Sequence, residues 1–186
     1  RVERIISSLP NGYYEYDLSP TKPEVIPTFN STGANSDLFV FYNDNRTAQY
    51  KNSYVWTCIF ANRPVPKNDK YKFNLRIEKA SERSTMIGVA LASSLKNRSC
   101  YSDTGSCFFY IHEGKISKDG KVCVSSLPMC FIGDVVSVIT DLVNYVVGFE
   151  INGNLVAVIE INKFLLENND LYPCVHMCRS DRVTFV

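Results

Sequence analysis

The side chains able to do chemistry are few and widely spaced. Seven cysteines stand at 58, 100, 107, 123, 130, 174 and 178, with histidines only at 112 and 176. Cys174, His176 and Cys178 are of types that suit zinc. In a strand, residues at i, i+2 and i+4 share a face and rise roughly 3.3 Å each. Cys174 and Cys178 would then stand about 13 Å apart, too far for one tetrahedral ion. Neighbouring pairs would need help from another strand, so the expectation is buried thiols, with no metal and no cofactor. Cys100 and Cys107 flank a Gly-containing loop and would pair only if that loop were a tight hairpin. The odd count and the absence of paired CxxC knuckles favour reduced thiols and an intracellular setting. Three sequons, at Asn30, Asn45 and Asn97, point the other way, although such triplets arise often in Asn- and Ser-rich loops.

Catalytic motifs are missing. There is no GxSxG, no HExxH and no phosphate-binding Gly loop. A triad assembled in space stays open, because triads are geometric. Glu150 and Glu160 are a conceivable glycosidase pair, but they fall at opposite ends of one hairpin and read as solvated or edge positions. No catalytic residue is expected.

The elements that position these groups read as short strands. Phe131 to Ile161 is the organising stretch, with Asn152-Gly153 between two apolar runs as the loop of a type I′ hairpin. Pairing back from Ile151 and Asn154 sets Phe149 against Val156 and Val147 against Val158, with Gly148 against Ala157 and Val146 against Ile159. Glu150 then opposes Leu155, and Glu160 opposes Tyr145. With neither face clearly polar, this hairpin is expected at the centre of its sheet. Gly133-Asp134 opens a strand at Val135 to Thr140, and Asp141 and Asn144 flank the turn before Tyr145. Tyr71 to Glu78 alternates, with Tyr71, Phe73, Leu75 and Ile77 on one side. Further strands are expected at Asp37 to Tyr42, Arg46 to Tyr50, Tyr54 to Phe60, Met86 to Leu91, Cys107 to His112, Val122 to Val124, Leu171 to Met177 and Arg182 to Val186. Asn162 to Asn169 is the one plausible helix, with Asn162 as N-cap. Residues 1–36, with prolines at 10, 20, 23 and 27, read as a wrapping segment with short strands near Gly12 to Asp17 and Glu24 to Phe29.

Composition narrows the class. At 186 residues, 45% hydrophobic and 21% charged, the chain fits one globular domain spanning 1–186. A net charge of +1 gives no electrostatic case for nucleic acid or an anionic membrane. There is no membrane-spanning apolar run. The start, Arg1-Val2-Glu3-Arg4, without methionine or signal-peptide pattern, reads as a piece of something longer.

The order of signals from about residue 63 to the end resembles a SPRY domain. Arg63-Pro64 leads into the aromatic strand Tyr71 to Ile77. Ile87-Gly88-Val89-Ala90 is followed by a loop and a Phe/Tyr strand at 108–110. Lys118-Asp119-Gly120-Lys121, Gly133-Asp134-Val135-Val136 with Asp141, Phe149-Glu150-Ile151-Asn152-Gly153 and Leu171-Tyr172-Pro173 complete the series. The resemblance implies an all-β, concanavalin-like bent sandwich of two antiparallel sheets, with the helix near 163–168. It also implies no catalytic residues and a partner-binding surface of loops at one end. Phe73 stands where relatives often have Trp, and Cys178 to Asp181 replace an apolar, Trp-containing patch. The peptide specificity of those relatives is therefore not carried over.

The expected function is a non-enzymatic, protein- or peptide-binding domain of an intracellular scaffold or ubiquitin-ligase-type protein. It is expected to be monomeric and to bind neither nucleic acid nor membrane. The expected contact residues are Tyr50, Arg63, Lys96, Arg98, Tyr101, Arg179, Ser180 and Asp181. The arginines would donate to carboxylates or carbonyls, and Tyr50 and Tyr101 would act as aromatic anchors. Two other readings remain. One is a lectin-like carbohydrate binder, for which Asp37, Asn43, Asp44 and Asn45 are the nearest approach to a Ca²⁺ cluster. The other is a purely structural domain.

Overall fold

Alternation of apolar side chains, interrupted by Asn-, Asp- and Gly-rich turns, divides the described residues into thirteen strands, one short α-helix and two 3-10 turns. A computed structural model describes residues 26–51, 53–81 and 85–186. The strands are β1 (Phe39–Tyr42), β2 (Thr47–Tyr50), β3 (Ser53–Phe60), β4 (Lys70–Lys79), β5 (Met86–Leu91), β6 (Cys107–Tyr110) and β7 (Lys115–Lys118). They continue with β8 (Lys121–Val124), β9 (Val135–Asp141), β10 (Val146–Ile151), β11 (Asn154–Glu160), β12 (Leu171–Arg179) and β13 (Arg182–Phe185). Helix α1 (Lys163–Asn168) lies between β11 and β12, and the Asn162 side chain caps it by accepting from the Phe164 N–H at 3.0 Å.

The strands form two antiparallel sheets. The seven-stranded sheet runs β1-β2-β13-β4-β9-β10-β11, and the six-stranded sheet runs β3-β12-β5-β6-β7-β8. The core lies between them. Phe73, Leu75 and Ile77 of β4 and Val136 and Val138 of β9 belong to the same buried cluster as Ile59, Ile87, Val89, Phe109 and Val175 of the other sheet. Among the described residues no helix is long and apolar enough to cross a membrane, which says nothing of a β-barrel. The expected strand at residues 12–17 lies outside the described residues. Of the one expected at 24–29, Phe29 forms a single bridge to Ala61.

The central hairpin departs from its expected geometry in two ways. Asn152 (φ 50°) and Gly153 (φ 79°) do form the two-residue turn, and Ile151 pairs with Asn154 and Glu150 with Leu155. A bulge then shifts the register, so that Phe149 pairs with Ala157, Gly148 with Val158, Val147 with Ile159 and Val146 with Glu160. Strict alternation would separate Leu155 and Val158, which are three residues apart. The bulge brings both to the outer face, against Ile139 and Val146, and leaves Val156, Ala157 and Ile159 in the main core. The second departure is position. Strand β11 is the edge of its sheet, so apolar character on both faces signals the outer cluster and not a central place.

Candidate interaction face

A second, smaller apolar layer lies on the outer face of the six-stranded sheet. Residues alternate across β3, so Tyr54, Trp56, Cys58 and Phe60 share the face opposite Val55, Thr57 and Ile59. On β12 the same alternation puts Tyr172, Cys174 and His176 outward. Cys58, Phe60 and Cys174, with Met86, Ala90, Cys100 and Phe108, and with Trp56, Leu95, Tyr110 and Tyr172 at the margins, form a cluster separate from the main core. What covers this layer is the connection between β5 and β6. Those strands are neighbours, yet the 92–106 segment joining them travels across β12 to the free edge of β3 and back. The Cys58 N–H donates to the Arg98 carbonyl at 2.9 Å, and the Cys100 Sγ lies 3.5 Å from the Cys174 Sγ.

His176 is the hub of this layer. It is fully buried, pairs in register with Cys58 and Met86, stacks on Trp56 at 5.2 Å and meets the edge of Tyr101 at 5.7 Å. Its Nε2 lies 3.0 Å from the Ser99 hydroxyl, and its Nδ1 has no hydrogen-bond partner. Burial pulls its pKa down to about 4, the nearby Cys58 opposing, so the ring is neutral at physiological pH. Around this hub the exposed side chains are aromatic and cationic. Tyr54 is 80% exposed and Tyr101 39%. The Arg179 guanidinium lies 5.5 Å from the Tyr54 ring, and exposed Arg98 stands at the β3 edge, its Nε donating at 3.4 Å to Thr57 Oγ1 of the opposite face. Arg179 is held at φ 56°, in the left-handed region, at the turn between β12 and β13.

The residues expected to bind a partner divide accordingly. Lys96, Arg98, Tyr101 and Arg179 lie on or beside this face and are exposed, with Ser180 half-buried next to Arg179. Arg63 is exposed but follows the far end of β3, a strand length from Arg179. Tyr50 and Asp181 are not available to a partner. Tyr50 is 1% exposed, and its hydroxyl donates to the Val55 carbonyl at 2.8 Å and lies 2.9 Å from Thr57 Oγ1. Asp181 is 0% exposed and accepts from Ser81 N–H and Oγ, Thr85 Oγ1 and the Cys178 N–H. It ties the β12–β13 turn to Ser81 and Thr85.

Two features escaped sequence reasoning. Tyr54 and Trp56 were not expected at the site, although their i, i+2 spacing on one strand face was a usable signal. The second is a triangle of thiols. Cys58, Cys100 and Cys174, all buried, have their sulfurs within 4.8 Å of one another, whereas Cys178 is not part of the group. Sulfhydryls of Cys100 and then Cys174 directed at Cys58 pull its pKa down. For Cys100, the bond from Cys174 would lower the pKa, but contact with Cys58 and burial together outweigh it and raise it. Burial first, then the neighbouring sulfurs, raises Cys174.

Glu150 and Glu160 do not converge. Glu150 is ion-paired with Lys72 at 2.7 Å, and Glu160 lies at the other end of the β10–β11 ladder.

No protein-family model matches the sequence, and no curated protein matches it by sequence. Solved structures do match. The SPRY domain of human HERC1 aligns with a TM-score of 0.69 at 16% identity, over 84% of this chain and 96% of that one. The TRIM65 PSpry domain aligns at 0.68 and 13% identity, over 88% and 93%. A human SPRY domain gives 0.62 at 20% identity, over 80% and 94%. The fold is therefore that of a SPRY domain, as the order of sequence signals implies.

Proposed function

We propose that this SPRY-fold chain is a non-catalytic domain that holds a protein or peptide partner on the face formed by Tyr54, Trp56, Arg98, Tyr101 and Arg179. Lys96 and Ser180 lie at its margin. The observation that carries this reading is the convergence of three separate segments, β3, the 92–106 crossing and the β12–β13 turn, on one exposed aromatic and cationic surface. Aromatic rings and guanidinium groups are the side chains that most often dominate protein interfaces, because they offer large contact area with directed hydrogen bonds. A partner presenting a carboxylate beside an aromatic or apolar residue would satisfy both.

Two further points support it. Gly is the residue for which left-handed backbone is least costly, so an exposed Arg kept at φ 56° suggests that its side chain is used. His176, the hub, is fully buried, out of reach of a substrate as general base, and suits a packing role. The wider setting, a monomeric domain within an intracellular scaffold or ubiquitin-ligase-type protein, rests on the sequence resemblance alone. Affinity capture with the wild-type chain and with Arg179→Glu and Tyr101→Ala variants tests the reading. Loss of a recovered partner from variants with native circular dichroism supports it, and equal recovery by all three refutes it.

A further inference from the structure

We propose that Cys58, Cys100 and Cys174 form a binding site for Zn²⁺, coordinated by three thiolates contributed by β3, the 92–106 crossing and β12. The three sulfurs lie within 4.8 Å of one another, and those of Cys100 and Cys174 are 3.5 Å apart. A triangle with sides in that range has its centre about 2.0 to 2.8 Å from each sulfur, which brackets the roughly 2.3 Å of a zinc–thiolate bond. Sulfurs on a tetrahedral zinc stand about 3.8 Å apart, so the Cys100–Cys174 pair opens by about 0.3 Å and no other pair has to close by more than about 1 Å.

Three observations separate this triangle from three cysteines that merely fill space. The thiols come from positions 42 and 74 residues apart along the chain, and each lies on a different segment. Asn35 Nδ2, 4.0 Å from Cys58 Sγ, can donate to the thiolate once the Cys58 S–H gives up its 3.2 Å bond to the Asn97 carbonyl on deprotonation. A cavity of about 220 Å³, lined by Asn35, Cys58, Leu95 and Lys96 among others, borders one of the three cysteines. His176, although opposite Cys58 in register, contributes no nitrogen to the group of mutually close ligand atoms. The fourth position is accordingly assigned to a solvent molecule, and Lys96, which lines the same cavity as Cys58, is the cation available to offset the net negative charge of one Zn²⁺ with three thiolates. Binding transfers the three sulfhydryl protons to buffer and involves no change of oxidation state. Its structural effect is to tie the crossing to the sheet beneath it. The site is independent of the partner-binding reading, and either can fail without the other.

The test is metal titration of the purified chain, stripped of metal and kept reduced with a phosphine. The expected result is one Zn²⁺ per chain with release of up to three protons, read as the dependence of binding enthalpy on buffer ionisation. Co²⁺ in place of Zn²⁺ is expected to give thiolate-to-metal charge-transfer bands and the d–d bands of a tetrahedral site. Cys58→Ser, Cys100→Ser and Cys174→Ser each remove a ligand. Each should weaken binding by more than the roughly 10–100-fold seen for outer-shell changes. Cys123→Ser and Cys178→Ser should leave binding unchanged. No binding by the wild-type chain overturns the proposal without recourse to any variant. So does binding that survives the three ligand substitutions, or that is lost in Cys123→Ser. Uptake of Cu⁺ with no uptake of Zn²⁺ overturns the assignment of the metal.

Discussion

Asp181 offers a sharp distinction between framework and binding face, because it sits two residues from Arg179 and yet has no exposed surface. Its Oδ1 accepts from Ser81 N–H and Ser81 Oγ, both at 2.7 Å. Its Oδ2 accepts from Thr85 Oγ1 at 3.0 Å and the Cys178 N–H at 3.3 Å. Asp181→Ala removes these four acceptor contacts. Ser81 is half-buried and can recover water, but Thr85 and Cys178 are buried. Loss of the carboxylate acceptor at two buried donors costs about 1–3 kcal/mol each, and loss of two short charge-assisted bonds adds to that. Water entering the vacated space returns part, so the expected loss is about 3–5 kcal/mol. Asp181→Asn keeps one carbonyl oxygen for Ser81 but turns an amide towards the Cys178 N–H, and should cost less. Urea unfolding followed by Trp56 fluorescence measures both. A loss below about 1 kcal/mol for Asp181→Ala, or equal losses for the two variants, would refute the claim that this carboxylate fastens the turn.

Three other outcomes follow from the same structure. Phe149, with no exposed surface and its ring 5.9 Å from Phe109 across the two sheets, should cost about 3–5 kcal/mol as Phe149→Ala. A stable Phe149→Ala protein would mean that the hairpin is not core. Gly88→Ala would place a Cβ 2.0 Å from the Cys107 carbonyl oxygen, a backbone contact that no side-chain rotation relieves. A loss of about 3 kcal/mol or more in denaturant unfolding is expected, and a neutral result would contradict the β5–β6 register. Arg179→Gly relieves left-handed strain of about 1 kcal/mol while losing a cation–π contact of about 0.5–1 kcal/mol to an exposed ring. Its thermal midpoint should therefore stay within a few degrees of wild type or rise, while partner binding weakens. A large fall in stability would show that Arg179 is structural.

Much of the architecture is legible in the chain because the relevant signals are local. Alternation in Tyr71 to Ile77, the positive-φ turn at Asn152-Gly153 and the Asn162 cap each depend on a few adjacent residues, and all three form. The hairpin register beyond Glu150 is not legible in this way. The turn sets pairing correctly at Ile151 and Glu150, but the bulge at Phe149 answers to two apolar faces that only the assembled sheets define. Tyr50, at the end of an expected strand, and Asp181, in a polar turn, give no local sign of burial, which depends on Thr57 for Tyr50 and on Ser81 and Thr85, 100 and 96 residues away, for Asp181. The thiol triangle is the extreme case. Cys174 was read beside Cys178, its neighbour in sequence, while its neighbours in space come from β3 and from a loop that crosses two strands. Exposed positions such as Arg98 and Tyr101 were legible because polar loops stay at the surface in any sandwich, but their grouping around His176 was not.

The central claim is that the aromatic and cationic face over His176 is where a partner binds. Its most direct test is calorimetric titration of a recovered partner against the wild-type chain, Tyr54→Ala, Arg179→Glu and a remote control, Lys121→Glu, all shown to be folded. The account predicts at least roughly tenfold weaker binding for the first two variants, equivalent to about 1.4 kcal/mol each, and no change for Lys121→Glu. Unchanged affinity for both Tyr54→Ala and Arg179→Glu, or a loss confined to Lys121→Glu, would contradict it.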